Sequence, residues 1–358
     1  MELKPMVFCD TKTVLTYMEA NFRFNLALKI PSIRKAEKAA PLIITRLEIY
    51  ETRIVINDTE YKMKVWRECQ ADAGLYNGEV DDDADEFGYK ISINESMQPG
   101  DIKLVYDGSK RRRRGWLRYD CPERMYQRPC NHFIRLYVSG SMTQFPHTNM
   151  KMHHLIRRLL TIFIGNRSGE CIIKNIDLKD DVLRWPKDGR KVILQNVEIG
   201  EYTPFKFDAL HSIVDPNVPI SRLKTIVSNF QRRILDHSLL KNVEHLVLSN
   251  SLEILFRSDL FSMQTQKVSF THSCSIERSL QRLISTLMEK PRPIGLCYSI
   301  RVRSKMNLNI INHPKELEKS KDCMKLEMGD DAIVVIQYVE EKKKTWLNIE
   351  IVPKKKKF

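Results

Sequence analysis

Five short segments between residues 174 and 270 repeat one alternating pattern, x-φ-x-φ, in which φ is apolar or threonine. They are KNIDL with Ile176 and Leu178, QNVEI with Val197 and Ile199, SRLKT with Leu223 and Thr225, EHLVL with Leu246 and Leu248, and QKVSF with Val268 and Phe270. Their first residues stand 21, 26, 23 and 22 positions apart. Alternation with period two is the mark of a strand that buries one face. Such a spacing constrains the chain more than any other feature, because one strand must recur about every two dozen residues.

Between the strands lie candidate helices at 204–214, 229–240 and 275–289. The last carries Ile276, Leu280, Leu283, Ile284 and Leu287 on one face. One strand and one short helix in roughly 20–29 residues is the footprint of a leucine-rich-repeat-like array. The full L-x-x-L-x-L-x-x-N pattern is missing, although Asn250 does follow LVLS. An ordinary α/β sheet with connections of similar length is the alternative. LCYSIRV at 296–302 adds a sixth strand.

The flanks read differently. In residues 1–41, Asp10 or Thr11 caps a helix carrying Val14, Leu15, Tyr17 and Met18. Asn21 offers a break, and a second segment holds Phe22, Leu26 and Ile30. Pro31 stops it, and Ser32 caps a third helix with Ile33, Ala36, Ala39 and Ala40 that Pro41 ends. So small a unit buries too little surface to fold alone. Residues 42–148 are expected to be β-rich, with strands at 43–50, 53–56 and 61–66 and a turn at Asn57-Asp58. An acidic surface loop at 72–88 and a basic loop at 109–115 interrupt them. A helix follows over 149–165, opening the strand–helix region 149–303. Residues 304–353 form a C-terminal β-meander with turns at Gly329-Asp330-Asp331 and Lys342 to Lys344, ahead of a basic tail at 354–358. The expected fold class is therefore α+β or α/β: a helical cluster, then strands, then a leucine-rich-repeat-like array closed by the meander.

Chemistry is sparse. No phosphate-binding glycine loop, nucleophile elbow or H-E-x-x-H occurs. His147, His153 and His154 cluster, but adjacent side chains on a helix diverge by about 100° and converge poorly on one metal. Asp81, Asp82, Asp83, Asp85 and Glu86 lack the ligand spacing of a calcium loop and read as solvated. The eight cysteines form no C-x-x-C pair, so no structural zinc site is expected and the thiols read as reduced and mostly buried. No apolar run reaches the roughly 18 residues of a membrane span, and no signal-peptide core opens the chain. The expectation is a non-enzymatic cytoplasmic or nuclear protein, without cofactor, metal or membrane. The net charge is +14, partly from Arg111, Arg112, Arg113 and Arg114. Near Trp116 and Tyr119 that tract is a possible basic patch for nucleic acid, but a solvated loop or a nuclear-localisation signal ranks ahead of it.

The stretch TKTVLTYMEANFRFNLALKIPSIRKAEKAAPL, followed by ITRLEIYETRIVINDTEYKM, resembles a nematode family of unknown function grouped with the F-box C proteins. So do IIKNIDLKDDVLRWPKDGRKVILQNVEI, HSIVDPNVPISRLKTIV, LDHSLLKNVEHLVLSNS and CMKLEMGDDAIVVIQYVEE. The resemblance covers nearly the whole chain. It implies an F-box-like cluster at residues 1–41, a three-helix module that docks on the Skp1 adaptor of a cullin–RING ubiquitin ligase. The docking residues would come from Val14, Leu15, Met18, Phe22, Leu26, Ile30 and Ile33, and the repeat region would face an unknown substrate. A protein-interaction module without a ligase connection is the alternative, and nucleic-acid binding the third choice. Two elements of the usual F-box are absent: KPMVFCD replaces the leading Leu-Pro pair, and IPSIRKAEK replaces the closing Cys-x-x-Trp-like element.

Overall fold

Residues 7–68, 77–80, 83, 91, 96–104, 130–178, 182–187, 189–201, 203–226, 237–249, 265–274 and 280–354 are described by the computed structural model. Two units divide the chain: Met1–Gln195 with Asp208–Asp215, and Asn196–Phe207 with Pro216–Phe358.

The first unit opens with α1 (Phe8–Thr16), α2 (Ala20–Lys29), a 3-10 turn at Pro31–Ile33, and α3 (Arg34–Ala39). The boundaries differ from the capping expectations. Asp10 does not cap α1 but lies in its first turn, where a negative charge still favours the helix end. Thr11 is also inside the helix and bonds back to the Val7 carbonyl at 3.1 Å. Glu19 caps α2 by accepting the Phe22 N–H at 3.0 Å. Asn21 does not break the chain. It sits inside α2, buried, donating to Ile56 O and accepting from the Tyr61 hydroxyl, each at 2.9 Å. Ser32 belongs to the 3-10 turn, and the α3 cap position, Ile33, makes no side-chain bond. Pro31 does mark the end of α2.

Strands β1 (Leu42–Ile44), β2 (Leu47–Ile49), β3 (Arg53–Ile56) and β4 (Thr59–Glu68) follow. The run expected as a single strand at 43–50 is two. Asn57, in the left-handed region at φ 54°, accepts the backbone N–H groups of Thr45 and Arg46 at 2.8 and 3.3 Å and holds the break between them. Next come β5 (Gly78–Val80), β6 (Ile102–Lys103), β7 (Asn131–Val138), β8 (Ser141–Gln144), α4 (Met152–Phe163), β9 (Cys171–Leu178) and β10 (Val182–Leu183). Strands β1 and β2 both lie parallel to β9, at Leu42↔Cys171 and Leu47↔Ile176. The sheet continues antiparallel through β2, β3, β4, β7 and β8, and β5 also pairs with β4. Part of the expected acidic loop is thus a strand. Strands β6 and β10 form a separate pair. Leu42, Ile44, Ile54, Ile56, Met63, Ile134, Leu160 and Ile173 are core residues of this unit.

The strand β11 (Ile193–Glu201) and helix α5 (Pro204–Ile213) contribute residues to both units. Then come β12 (Ile220–Ile226), β13 (Val243–Ser249), β14 (Lys267–Cys274), α6 (Leu280–Met288) and β15 (Cys297–Val302). Strands β16 (Glu316–Lys319), β17 (Cys323–Met328), β18 (Ala332–Glu341) and β19 (Lys344–Pro353) complete the chain. Strands β11 to β15 pair parallel in chain order. Strand β19 then adds antiparallel to β15, β18 and β17 follow it as a three-strand meander, and β16 adds a fourth strand beyond those the sequence predicts. Positive φ at Gly329, Lys342 and Lys343 makes its turns where the sequence places them. One register row, Val197, Leu223, Leu246, Val268, Tyr298, Ile349, Ile336 and Met324, is buried from end to end, and α6 buries Leu280, Leu283, Ile284 and Leu287.

The architecture is mixed α+β and mostly strand, with six α-helices among the described residues. Residues 229–236 and 275–279 of the expected helices lie outside the described set.

Candidate docking site

The seven apolar residues singled out in the N-terminal helices fall into two groups. Leu15 is buried with Ala36 and Ala40, and Met18, Leu26 and Ile33 pack against that cluster. They hold the three helices together. Val14, Phe22 and Ile30 are exposed, Phe22 to 57%. Phe8, Tyr17 and Leu28 on the same helices are exposed too, Tyr17 to 86%. Single exposed apolar residues are ordinary, but six within 23 positions are a feature of this segment.

A buried ionic clamp joins the helices to the rest of their unit. Glu37 on α3 accepts from Arg23 of α2 at 3.2 Å and from Arg167, just beyond α4, at 2.8 Å. Both guanidiniums also reach backbone carbonyls: Arg23 those of Pro41, Glu37 and Ala40, Arg167 those of Glu37, Ala40 and Phe163. Burial lowers the Arg23 pKa below its ordinary value against the pull of Glu37, and the charge of Arg167 adds to the lowering. Lys38 completes the join. Its ammonium donates to the carbonyls of Ile162 at 2.5 Å and Gly165 at 2.8 Å, satisfying acceptors that the end of α4 leaves open. Burial first, then Arg167, pushes its pKa down to about 8. The rings of Phe24 and Tyr61 pack on Phe163 at 4.6 and 5.0 Å between centroids. None of these polar contacts was apparent in the sequence, because Arg167 and Glu37 are 130 residues apart.

Asp83 of the acidic stretch and His153 meet at the other end of α4. Asp83 accepts the N–H groups of Met152 and His153 at 2.6 and 3.0 Å, and its carboxylate lies 2.6 Å from His153 Nδ1. It therefore caps α4 from a distant segment, and the reading of Asp83 as part of a solvated loop is corrected. Lys151, the residue ahead of the helix, supplies no side-chain cap. Burial pushes the Asp83 carboxyl up, but bonds from the His153 ring and the two N–H groups outweigh it and hold the pKa below the ordinary value. Among the described residues, no three His, Cys, Asp or Glu side chains are grouped to hold a metal, and no helix is long and apolar enough to cross a membrane. Arg111 to Arg114 lie outside the described residues.

A second candidate surface lies on the sheet of the second unit. Next to its buried row runs a polar one in strict register: Asn196, Arg222, His245, Lys267, Cys297 and Glu350. Lys224, in the row on the other side of the buried one, pairs with Glu198 at 2.6 Å. Arg222 and Lys267 are exposed and form no ion pair among the described residues. Between them, His245 Nε2 lies 2.8 Å from Ser269 Oγ. Burial, then Lys267 and Arg222, pushes the His245 pKa down to about 4, so it is neutral at pH 7. Part of the signal for this row was present in the sequence: Asn196, Arg222, His245 and Lys267 fill x positions of the repeated x-φ-x-φ pattern, which share a face.

A family described as a domain of unknown function (DUF3557) matches residues 151–304. That stretch runs from the start of α4 to just past β15 and leaves the N-terminal helices outside. No curated protein and no solved structure matches the chain.

Proposed function

We propose that the protein is a non-enzymatic protein-interaction adaptor whose N-terminal helices dock on a partner, with a Skp1-type adaptor of a ubiquitin ligase as that partner. The observation that carries this reading is the division of labour within the cluster. Leu15, Met18, Leu26 and Ile33 are committed to internal packing, whereas Val14, Phe22 and Ile30 remain exposed. An apolar helix face presented to a partner's groove is a recurrent mode of recognition. The resemblance of this segment to F-box-like sequences supports the choice of partner. On this reading the polar row of the second unit, with Arg222 and Lys267 unpaired among the described residues, faces the substrate.

The test is co-purification of the full chain with Skp1. Capture is expected for the native chain and loss for the Phe22→Asp, Ile30→Asp double variant, with both melting alike. Leu15 is the wrong position to probe, since replacing a buried residue disrupts the cluster itself. Failure of the folded native chain to bind rules out the ligase connection. The second reading, an interaction module in which these helices serve only their own unit, draws on the Arg23–Glu37–Arg167 clamp, and it is favoured if the double variant loses stability rather than binding.

A further inference from the structure

Three helices of the first unit border a cavity of about 340 Å³, within the range of roughly 300–1,000 Å³ typical of small-molecule sites. Each helix lines it with residues three or four apart, which share a face. Helix α2 supplies Phe24, Ala27 and Leu28, α3 supplies Arg34, Glu37 and Lys38, and α4 supplies Arg158 and Ile162.

The lining is apolar on one part and electrostatically unbalanced on the other. Three cationic side chains face it, and Glu37 is the one carboxylate among them. That carboxylate is already shared by Arg23 and Arg167 behind it. The Nε groups of both arginines are buried without an acceptor, so anionic oxygen is scarce there. Lys38 commits its ammonium to backbone carbonyls, and Arg34 donates to Ala27 O at 2.8 Å and Leu28 O at 3.3 Å. Arg158 differs: it is exposed and makes no hydrogen bond or ion pair among the described residues. Burial is the main reason the Lys38 pKa is depressed, and the charge of Arg167 adds to it.

We propose that this cavity binds a small amphipathic carboxylate, its hydrocarbon chain against Phe24, Ala27 and Ile162 and its head on the guanidinium of Arg158. A purely apolar ligand leaves the cationic side unanswered, and a bare inorganic anion leaves the apolar side unused. A carboxylate matches the planar donor fork of arginine, which Lys38 and Arg34 reinforce as nearby charges. The proposal is independent of the docking function, since the side chains it invokes, Phe24, Ala27, Ile162 and Arg158, are not the Val14, Phe22 and Ile30 of the docking face.

Calorimetric titration of the full chain with octanoate tests it, with octanol and octylamine as controls of the same chain length. Saturable one-to-one octanoate binding is expected, with both controls weaker by ten-fold or more. Arg158→Gln should weaken octanoate about ten-fold and Arg158→Lys much less, while Ala27→Leu, which adds atoms into the cavity, should abolish binding. Absence of saturable octanoate binding overturns the proposal, as does equal binding of octanol or an unchanged affinity in Arg158→Gln. Arg158 has no hydrogen bond or ion pair to lose among the described residues, so its variants carry the test even if Ala27→Leu melts early.

Discussion

Asp83 shows how much one side chain can decide. In sequence it is one acid among several in a polar stretch, and its neighbours give no hint of a partner. In the fold it takes the place of the missing local cap of α4 and holds the His153 ring. Because its folded pKa lies below the ordinary carboxylate value, the stabilisation it contributes is present above about pH 4 and is lost as pH falls through the folded pKa. Replacing it with alanine is expected to cost about 0.5–2 kcal/mol at neutral pH, the usual range for a lost N-cap. Urea melts of the native and Asp83→Ala chains should therefore converge as pH is lowered. A constant gap between them down to pH 2 would show that the carboxylate charge is not the source. Asn21 teaches the same lesson in reverse. Its residue type suggests a helix break, but two buried partners on β3 and β4 keep it inside α2.

At the scale of elements, the join between α3 and the segment after α4 depends on close backbone approach. A Cβ on Gly169 would lie 2.7 Å from the carbonyl oxygens of both Ala39 and Ala40. Only glycine leaves room there, and the N–H groups of Ser168 and Gly169 both bond to Lys38 O, at 3.2 and 3.1 Å. Gly169→Ala is expected to destabilise by about 1–3 kcal/mol, the usual cost of overpacking. Chemical denaturation measures it, and a variant of native stability would show that the two segments separate freely. Strand boundaries followed a related rule. Alternation placed β3, β4 and the meander correctly, since burial of one face sets the period. It joined β1 to β2, because the break between them depends on the Asn57 side chain arriving from the next turn.

For the whole molecule, the division into two units predicts how it comes apart. Each unit has its own buried residues, and a chain of two such units need not unfold in one step. Leu283→Ala in α6 removes a buried side chain of the second unit and is expected to cost about 2–5 kcal/mol. Gly169→Ala acts in the first. If the units unfold independently, each substitution shifts a different transition in a calorimetric scan; a single transition lowered by both would show one cooperative block. Much of the architecture follows from local chemistry: the helical start, the recurring strands of the second sheet, the closing meander, and the polar x positions that make one row of that sheet. These are written in hydrophobic period and turn residues, which act over a few positions. Other features required the folded chain. The burial of Leu15 against Ala36 and Ala40, the clamp of Arg23, Glu37 and Arg167, the capping of α4 by Asp83 and Lys38, and the cavity beside Arg158 all bring together residues far apart in sequence. Short-range pattern determined which elements form; burial of charge and closeness of backbone, properties of tertiary contact alone, decided which side chains were left free to bind.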